Sequence, residues 1–127
     1  MLRRICLKAC LKPQQRGGII VPYQGLSLEG QTALVTGSGR GIGAALAIGL
    51  AQAGAEVAVS DRPDRLDLAE STKSKVVAEG VKSGVYPLDV LDIPGIPKVI
   101  DQVVEDFGHL DILVNMLGYG YPNLPSK

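Results

Sequence analysis

The sequence predicts an α/β fold: a partial doubly wound parallel sheet of four strands in the order 3-2-1-4, flanked by helices. Three observations carry this expectation. Short apolar runs rich in β-branched residues alternate with helix-like stretches, each helix-like stretch ends at a glycine, and a glycine-rich turn joins the first run to the first helix. Strands that alternate with helices are joined by right-handed crossovers, which make neighbouring strands parallel and place helices on both faces. The 3-2-1-4 order is the first portion of a doubly wound sheet.

The elements follow in order from Leu26. Thr32 to Thr36 (TALVT) is a short apolar run ended by glycine, the pattern of a strand buried on both faces. Ile42 to Ala53, built from Ala, Leu and Ile, is a helix that stops at Gly54. Glu56 to Ser60 (EVAVS) is the second strand, and Leu66 to Glu79 is the second helix, ended by Gly80. Gly84 to Leu88 is a third and weaker strand. Lys98 to Phe107 carries Val99, Val103 and Phe107 at helical spacing and ends at Gly108, and Leu110 to Asn115 (LDILVN) is the fourth strand.

Composition limits the organisation. A chain of 127 residues with 46% hydrophobic content, no Trp and the single Phe107 can build one domain core but not two. Thirteen basic and thirteen acidic residues balance, which argues against nucleic acid or a membrane surface as partner. Arg3, Arg4, Lys8, Lys12 and Arg16 nevertheless all precede the first acid, Glu29. Residues 1–26 therefore form a basic leader, 27–118 the partial domain, and 119–127, which include Pro122 and Pro125, a frayed tail. The leader reads either as a disordered or non-native extension or as a mitochondrial presequence, so the expected location is cytoplasmic with a mitochondrial alternative. No apolar run approaches the roughly 20 residues that span a bilayer. Cys6 and Cys10 both fall in the leader, at a spacing that suits neither a redox pair nor a zinc site, and no metal site is expected.

The informative segment is Thr36-Gly37-Ser38-Gly39-Arg40-Gly41-Ile42-Gly43. Glycine supplies positive backbone dihedrals in a tight turn and lets backbone approach a pyrophosphate closely. The free amides at a helix start then face the anion, helped by the helix dipole. A glycine-rich turn alone is weak evidence. Here the strand before it, the helix after it and the acid Asp61 at the end of the second strand all fall where phosphate binding needs them.

This segment is Thr-Gly-x-x-x-Gly-x-Gly, not the general Gly-x-Gly-x-x-Gly fingerprint. It resembles the short-chain dehydrogenase/reductase family, and further matches follow in register: Asp61, then Leu88-Asp89-Val90, then Phe107 to Asn115. The resemblance implies the cofactor-binding half of a Rossmann-type domain. It also implies roles for particular residues. Gly37, Ser38, Gly39, Arg40, Gly41, Ile42 and Gly43 would surround the pyrophosphate, and Asp61 would take the adenosine ribose hydroxyls. Asp89 would meet the adenine amino group and Val90 would pack on the ring, with Asn115 and Gly118 beside the cofactor. Asp89 has a second reading, as a turn or helix-capping acid near Asp92 and Pro94.

Where the family has Asn-Asn-Ala-Gly, this chain has Asn115-Met116-Leu117-Gly118, so two small or polar positions have become large and apolar. The family's catalytic Ser and Tyr-x-x-x-Lys pair have no counterpart: Tyr23, Tyr86, Tyr119 and Tyr121 are followed four positions later by Ser27, Val90, Asn123 and Pro125. His109, the single histidine, is expected in a turn at the far end of the sheet from the cofactor. Two functions follow. The chain is the cofactor-binding half of an NAD(P)-dependent oxidoreductase whose complete form moves hydride between nicotinamide and a carbonyl or alcohol, with no catalytic residues of its own. Alternatively it is a non-catalytic chain that binds a nucleotide or a related subunit. NAD is the expected cofactor because Asp61 opposes a 2′-phosphate. Arg40 and Arg62 pull the other way and leave NADP open. An uncovered fourth strand, with Ile112 and Val114 as its exposed edge, suggests a homo-oligomer or pairing with a related subunit.

Overall fold

The computed structural model describes residues 24–118. The leader up to residue 23, with both cysteines, and the tail from residue 119 lie outside the described residues. Seven elements follow one another: β1 (Thr32–Thr36), α1 (Gly41–Gln52), β2 (Glu56–Asp61), α2 (Leu66–Ala78), β3 (Ser83–Pro87), α3 (Ile96–Phe107) and β4 (Ile112–Asn115). Short 3-10 turns at Gln24–Leu26, Pro63–Arg65 and Ile93–Gly95 precede β1, α2 and α3.

The sheet is parallel throughout, as the alternating pattern requires, and its order is β3-β2-β1-β4, that of the first portion of a doubly wound sheet. In register, Thr36 lies beside Ser60 and Asn115, and Asp61 lies beside Pro87, so all four strands finish at the same end of the sheet. All five residues of β1 are buried, because it is central and packed on both faces.

Two apolar clusters fill the two faces. Val35, Val57 and Val59 pack with Ala47 and Ala51 of α1 and with Ala69 and Val76 of α2. Leu34, Ala58 and Tyr86 pack with Val103 and Phe107 of α3 on the other face. Alternate residues of β1 and β2 thus serve opposite layers, which is the period-2 geometry of a strand. Small alanines on α1 let that helix sit close to the sheet.

Element ends differ from the sequence expectation in ways the local chemistry explains. The third helix begins at Ile96, two residues early, because Pro97 occupies its first turn, where no backbone N–H is needed. Its C-terminal Gly108 adopts φ 88° and accepts the left-handed stop. The fourth strand begins at Ile112 and not at Leu110, since Asp111 is spent on another contact: its carboxylate accepts the Thr32 amide at 2.8 Å and anchors β4 to the start of β1. The exposed apolar side chain on this edge strand is Leu113, at 52% exposure, whereas Val114 packs against the α1/α2 layer. Ile112 and Val114 are half-buried, which corrects the expectation that they form the exposed edge.

Candidate functional site

The turn between β1 and α1 is built in two halves. Its first half faces inward. Ser38 is fully buried, its amide donates to the Ser60 carbonyl at 3.0 Å, its hydroxyl donates to the Val35 carbonyl at 2.7 Å, and the same oxygen accepts the Ser60 amide at 3.0 Å. Ser38 therefore staples β1 to β2, and its polar groups are committed to protein. Gly39 is also buried; its amide donates to Oδ2 of Asp61 at 2.8 Å, and its carbonyl accepts the Thr72 hydroxyl at 3.3 Å.

The second half faces outward. Arg40, Gly41 and Ile42 are exposed. Arg40 occupies the N-cap position with extended backbone and makes no capping bond from its side chain. The first amides of α1, those of Gly41, Ile42 and Gly43, precede any carbonyl within the helix that lies four residues back. They point along the positive end of the helix dipole, at the sheet end where the strands finish.

Glycine is required here for two separate reasons. Gly37 and Gly41 have φ of 66° and 57°, the left-handed region. Gly39 and Gly43 need the absence of a side chain. A β-carbon on Gly43 would enter the carbonyl of Gly37, and one on Gly39 would strike the Asp61 carboxylate and Leu68.

Asp61 ends β2 at 3% exposure, with Oδ2 on Gly39 and Oδ1 accepting the Arg62 amide at 2.8 Å. Arg62 is turned to Asp64, with two bonds of 3.0 and 3.2 Å between guanidinium and carboxylate. Asp89 accepts the Leu91 amide at 2.9 Å, the turn-acid contact that its second reading anticipates, and Val90 beside it is 37% exposed. Asn115, which ends β4, and Gly118 beyond it are exposed. Between them, Met116 donates its amide to the Thr36 hydroxyl at 3.2 Å. The Met116 carbonyl and the Leu117 side chain both crowd the space above Gly37.

The fold thus gathers the glycine turn, Asp61, Asp89 and the Asn115–Gly118 segment at one end of the sheet. His109 lies at the other end, exposed, with Nε2 2.9 Å from the Gly30 carbonyl and 3.0 Å from Asp111. Tyr86 is likewise removed from the turn. Its hydroxyl donates to Asp106 at 2.6 Å, and burial first, then that carboxylate, pushes its ionisation above the usual tyrosine range.

Sequence reasoning did not single out Thr72 or the structural use of Thr36. Thr72 interrupts the buried stripe Ala69–Thr72–Val76 of α2, and a polar residue in an apolar stripe is the signal that a buried partner is waiting.

Comparison with known proteins bears on this arrangement. A family model described as short chain dehydrogenase matches residues 31–125. A versicolorin reductase from Emericella nidulans is 43% identical over 91 residues, which are 72% of this chain and 34% of the relative. A dehydrogenase/reductase from Sinorhizobium meliloti superposes with a TM-score of 0.70 at 41% identity, over 73% of this chain and 36% of that one. A dehydrogenase from Burkholderia cenocepacia with bound NADP superposes with a TM-score of 0.67 at 27% identity, over 71% of this chain and 35% of that one. The chain spans about a third of the length of the curated relatives it matches. Among the described residues no helix is long and apolar enough to cross a membrane.

Proposed function

The chain belongs to the short-chain dehydrogenase family, and from that membership we propose that residues 31–118 form the nicotinamide-dinucleotide half-site of an oxidoreductase. The observation that carries this is the start of α1, which has no side-chain cap and is exposed at Arg40, Gly41 and Ile42, after a turn locked on its inner side by Ser38 and Asp61. A pyrophosphate would accept from Gly41, Ile42 and Gly43, with Arg40 beside it. The remaining lone pairs of Asp61 would take ribose hydroxyls, and Asp89 with Val90 would bound the adenine. Asn115 and Gly118 would flank the nicotinamide-side ribose, where Met116 and Leu117 leave less room than the family's smaller residues.

NAD is the preferred cofactor in this reading. A 2′-phosphate about 4 Å from a carboxylate meets repulsion of roughly 4 kcal/mol per charge pair at an effective dielectric near 20. Arg62 is held by Asp64, which weakens the offset that it would provide. The bound nicotinamide supplies hydride transfer. The chain's own residues bind and orient it, whereas proton transfer to a carbonyl needs groups for which these 127 residues carry no Ser or Tyr-x-x-x-Lys counterpart. The second reading, a non-catalytic chain that binds a nucleotide or a related subunit, draws on Ile42 at 69% and Leu113 at 52% exposure, apolar surface that a partner would cover.

Fluorescence titration of the purified chain with NADH and NADPH tests the proposal. Saturable binding with NADH tighter, lost in Gly41→Asp, is expected. No binding of either nucleotide refutes it.

A further inference from the structure

Asp61 is placed to do more than read a ribose. The residue is buried, at 3% exposure, and its carboxylate touches the glycine turn directly: Oδ2 accepts the buried Gly39 amide at 2.8 Å. Oδ1 accepts the Arg62 amide, so the carboxylate is fixed by its own strand end while it holds the turn. Gly39 is also gripped through its carbonyl, which accepts from Thr72 on α2. Two residues away the chain reaches the exposed helix start at Gly41 and Ile42. The peptide before Gly39 is thus held by its N–H and the peptide after it by its C=O, which restrains both backbone dihedrals of Gly39 and with them the path of the chain into the helix start.

We propose that Asp61 is a positioning residue for the phosphate turn: by accepting the Gly39 amide it keeps the helix-start amides aimed at a pyrophosphate, independently of any ribose contact. This rests on the half-site reading above. Two properties of the carboxylate then oppose one another. Its charge repels a bound phosphate. Its acceptor oxygen holds the turn that binds the phosphate, and without an acceptor the Gly39 N–H is left buried and unsatisfied. A residue that only reads ribose has the first effect and lacks the second.

Two substitutions separate them. Asp61→Asn removes the charge and keeps one acceptor oxygen, which goes to the buried Gly39 amide, since the Arg62 amide is less deeply placed and can turn to water. Asp61→Ala removes both. Inorganic pyrophosphate, which has no ribose, is titrated as a competitor of bound NADH, and amide hydrogen exchange of Gly39 is followed in the unliganded chain. The expected order of pyrophosphate affinity is Asn tightest, native next, Ala weakest, with Ala about tenfold below Asn. The Gly39 amide exchanges at least tenfold faster in Ala than in Asn. Thr72→Val, close in shape and remote from the ligand, releases the Gly39 carbonyl and weakens pyrophosphate a few-fold; it carries the test if Asp61→Ala does not fold. Pyrophosphate binding that is equal in Asn and Ala, or tighter in Ala than in the native chain, overturns the proposal. So does native affinity in Thr72→Val, or a failure of pyrophosphate to displace bound NADH. If the native chain binds no NADH at all, the half-site reading fails instead, and Gly39 exchange still decides whether Asp61 holds the turn.

Discussion

Adding one methyl group at each of two glycines of the same helix should have opposite effects. Gly49 lies on the exposed side of α1, and a β-carbon there would meet nothing within 4 Å. Gly49→Ala therefore gains helix propensity alone, about 0.5–1 kcal/mol. Gly43 is in the same helix with ordinary helical dihedrals, so alanine there gains the same propensity, but its β-carbon enters the Gly37 carbonyl and lies 3.0 Å from Ser38 Cα. Backbone atoms cannot step aside as a side-chain tip can, and overpacking of this kind typically costs about 1–3 kcal/mol. Gly43→Ala should thus lie about 1–3 kcal/mol below Gly49→Ala in unfolding free energy. The turn must also open to admit the methyl, which displaces the first helix amides and lowers nucleotide affinity. Urea unfolding of both variants, with NADH titration, measures each quantity. Equal stability of the two alanine variants would show that α1 does not pack against the turn as described.

Stability should fall in alkali because of Tyr86. Its folded ionisation is raised by burial and by Asp106, so the neutral phenol favours the folded state. This contribution is intact below about pH 10, the unfolded value, and is lost as pH rises from there, at up to about 1.4 kcal/mol per pH unit. Tyr86→Phe should flatten that fall, as measured by denaturant midpoints across alkaline pH; an unchanged slope refutes it. The edge strand should drive self-association, and Leu113→Lys should shift sedimentation toward monomer. A native chain that is already monomeric at all concentrations counts against this. Finally, the 127-residue chain saturated with NADH should show no turnover on sugars, ketones or quinones above a no-protein control, since a positioned proton donor contributes about 10²- to 10⁴-fold and, on the proposed reading, none of the described residues at the half-site supplies one. Turnover abolished by Gly41→Asp would place an active site within this chain.

What was legible in the sequence is what depends on local pattern. The parallel sheet followed from alternation, because parallel strands need crossovers, and its 3-2-1-4 order is that of the first portion of a doubly wound sheet. The turn was legible because positive dihedrals and close packing both select glycine, and the two causes coincide within Gly37–Gly43. Less legible was the division of labour inside the turn. Sequence reading places Ser38 and Gly39 in the same pyrophosphate-facing group as Gly41 and Ile42, yet Ser38 spends its hydroxyl and amide on β1 and β2, and Gly39 spends its amide on Asp61. Those contacts depend on which way each peptide faces, a property of the three-dimensional turn and not of residue type. The same limit applied to Asp111 and Thr72, whose partners are Thr32 and Gly39, far away in sequence. Long-range polar contacts have no period to betray them. They matter nonetheless, since a glycine turn is permissive by composition and could adopt many shapes. In the proposed half-site, the shape that would present helix amides to an anion is held by partners outside the turn: the side chains of Asp61 at one strand end and Thr72 on the next helix, and the Ser60 backbone that receives Ser38. On that reading glycine makes the phosphate-binding conformation accessible, and these buried polar partners select it.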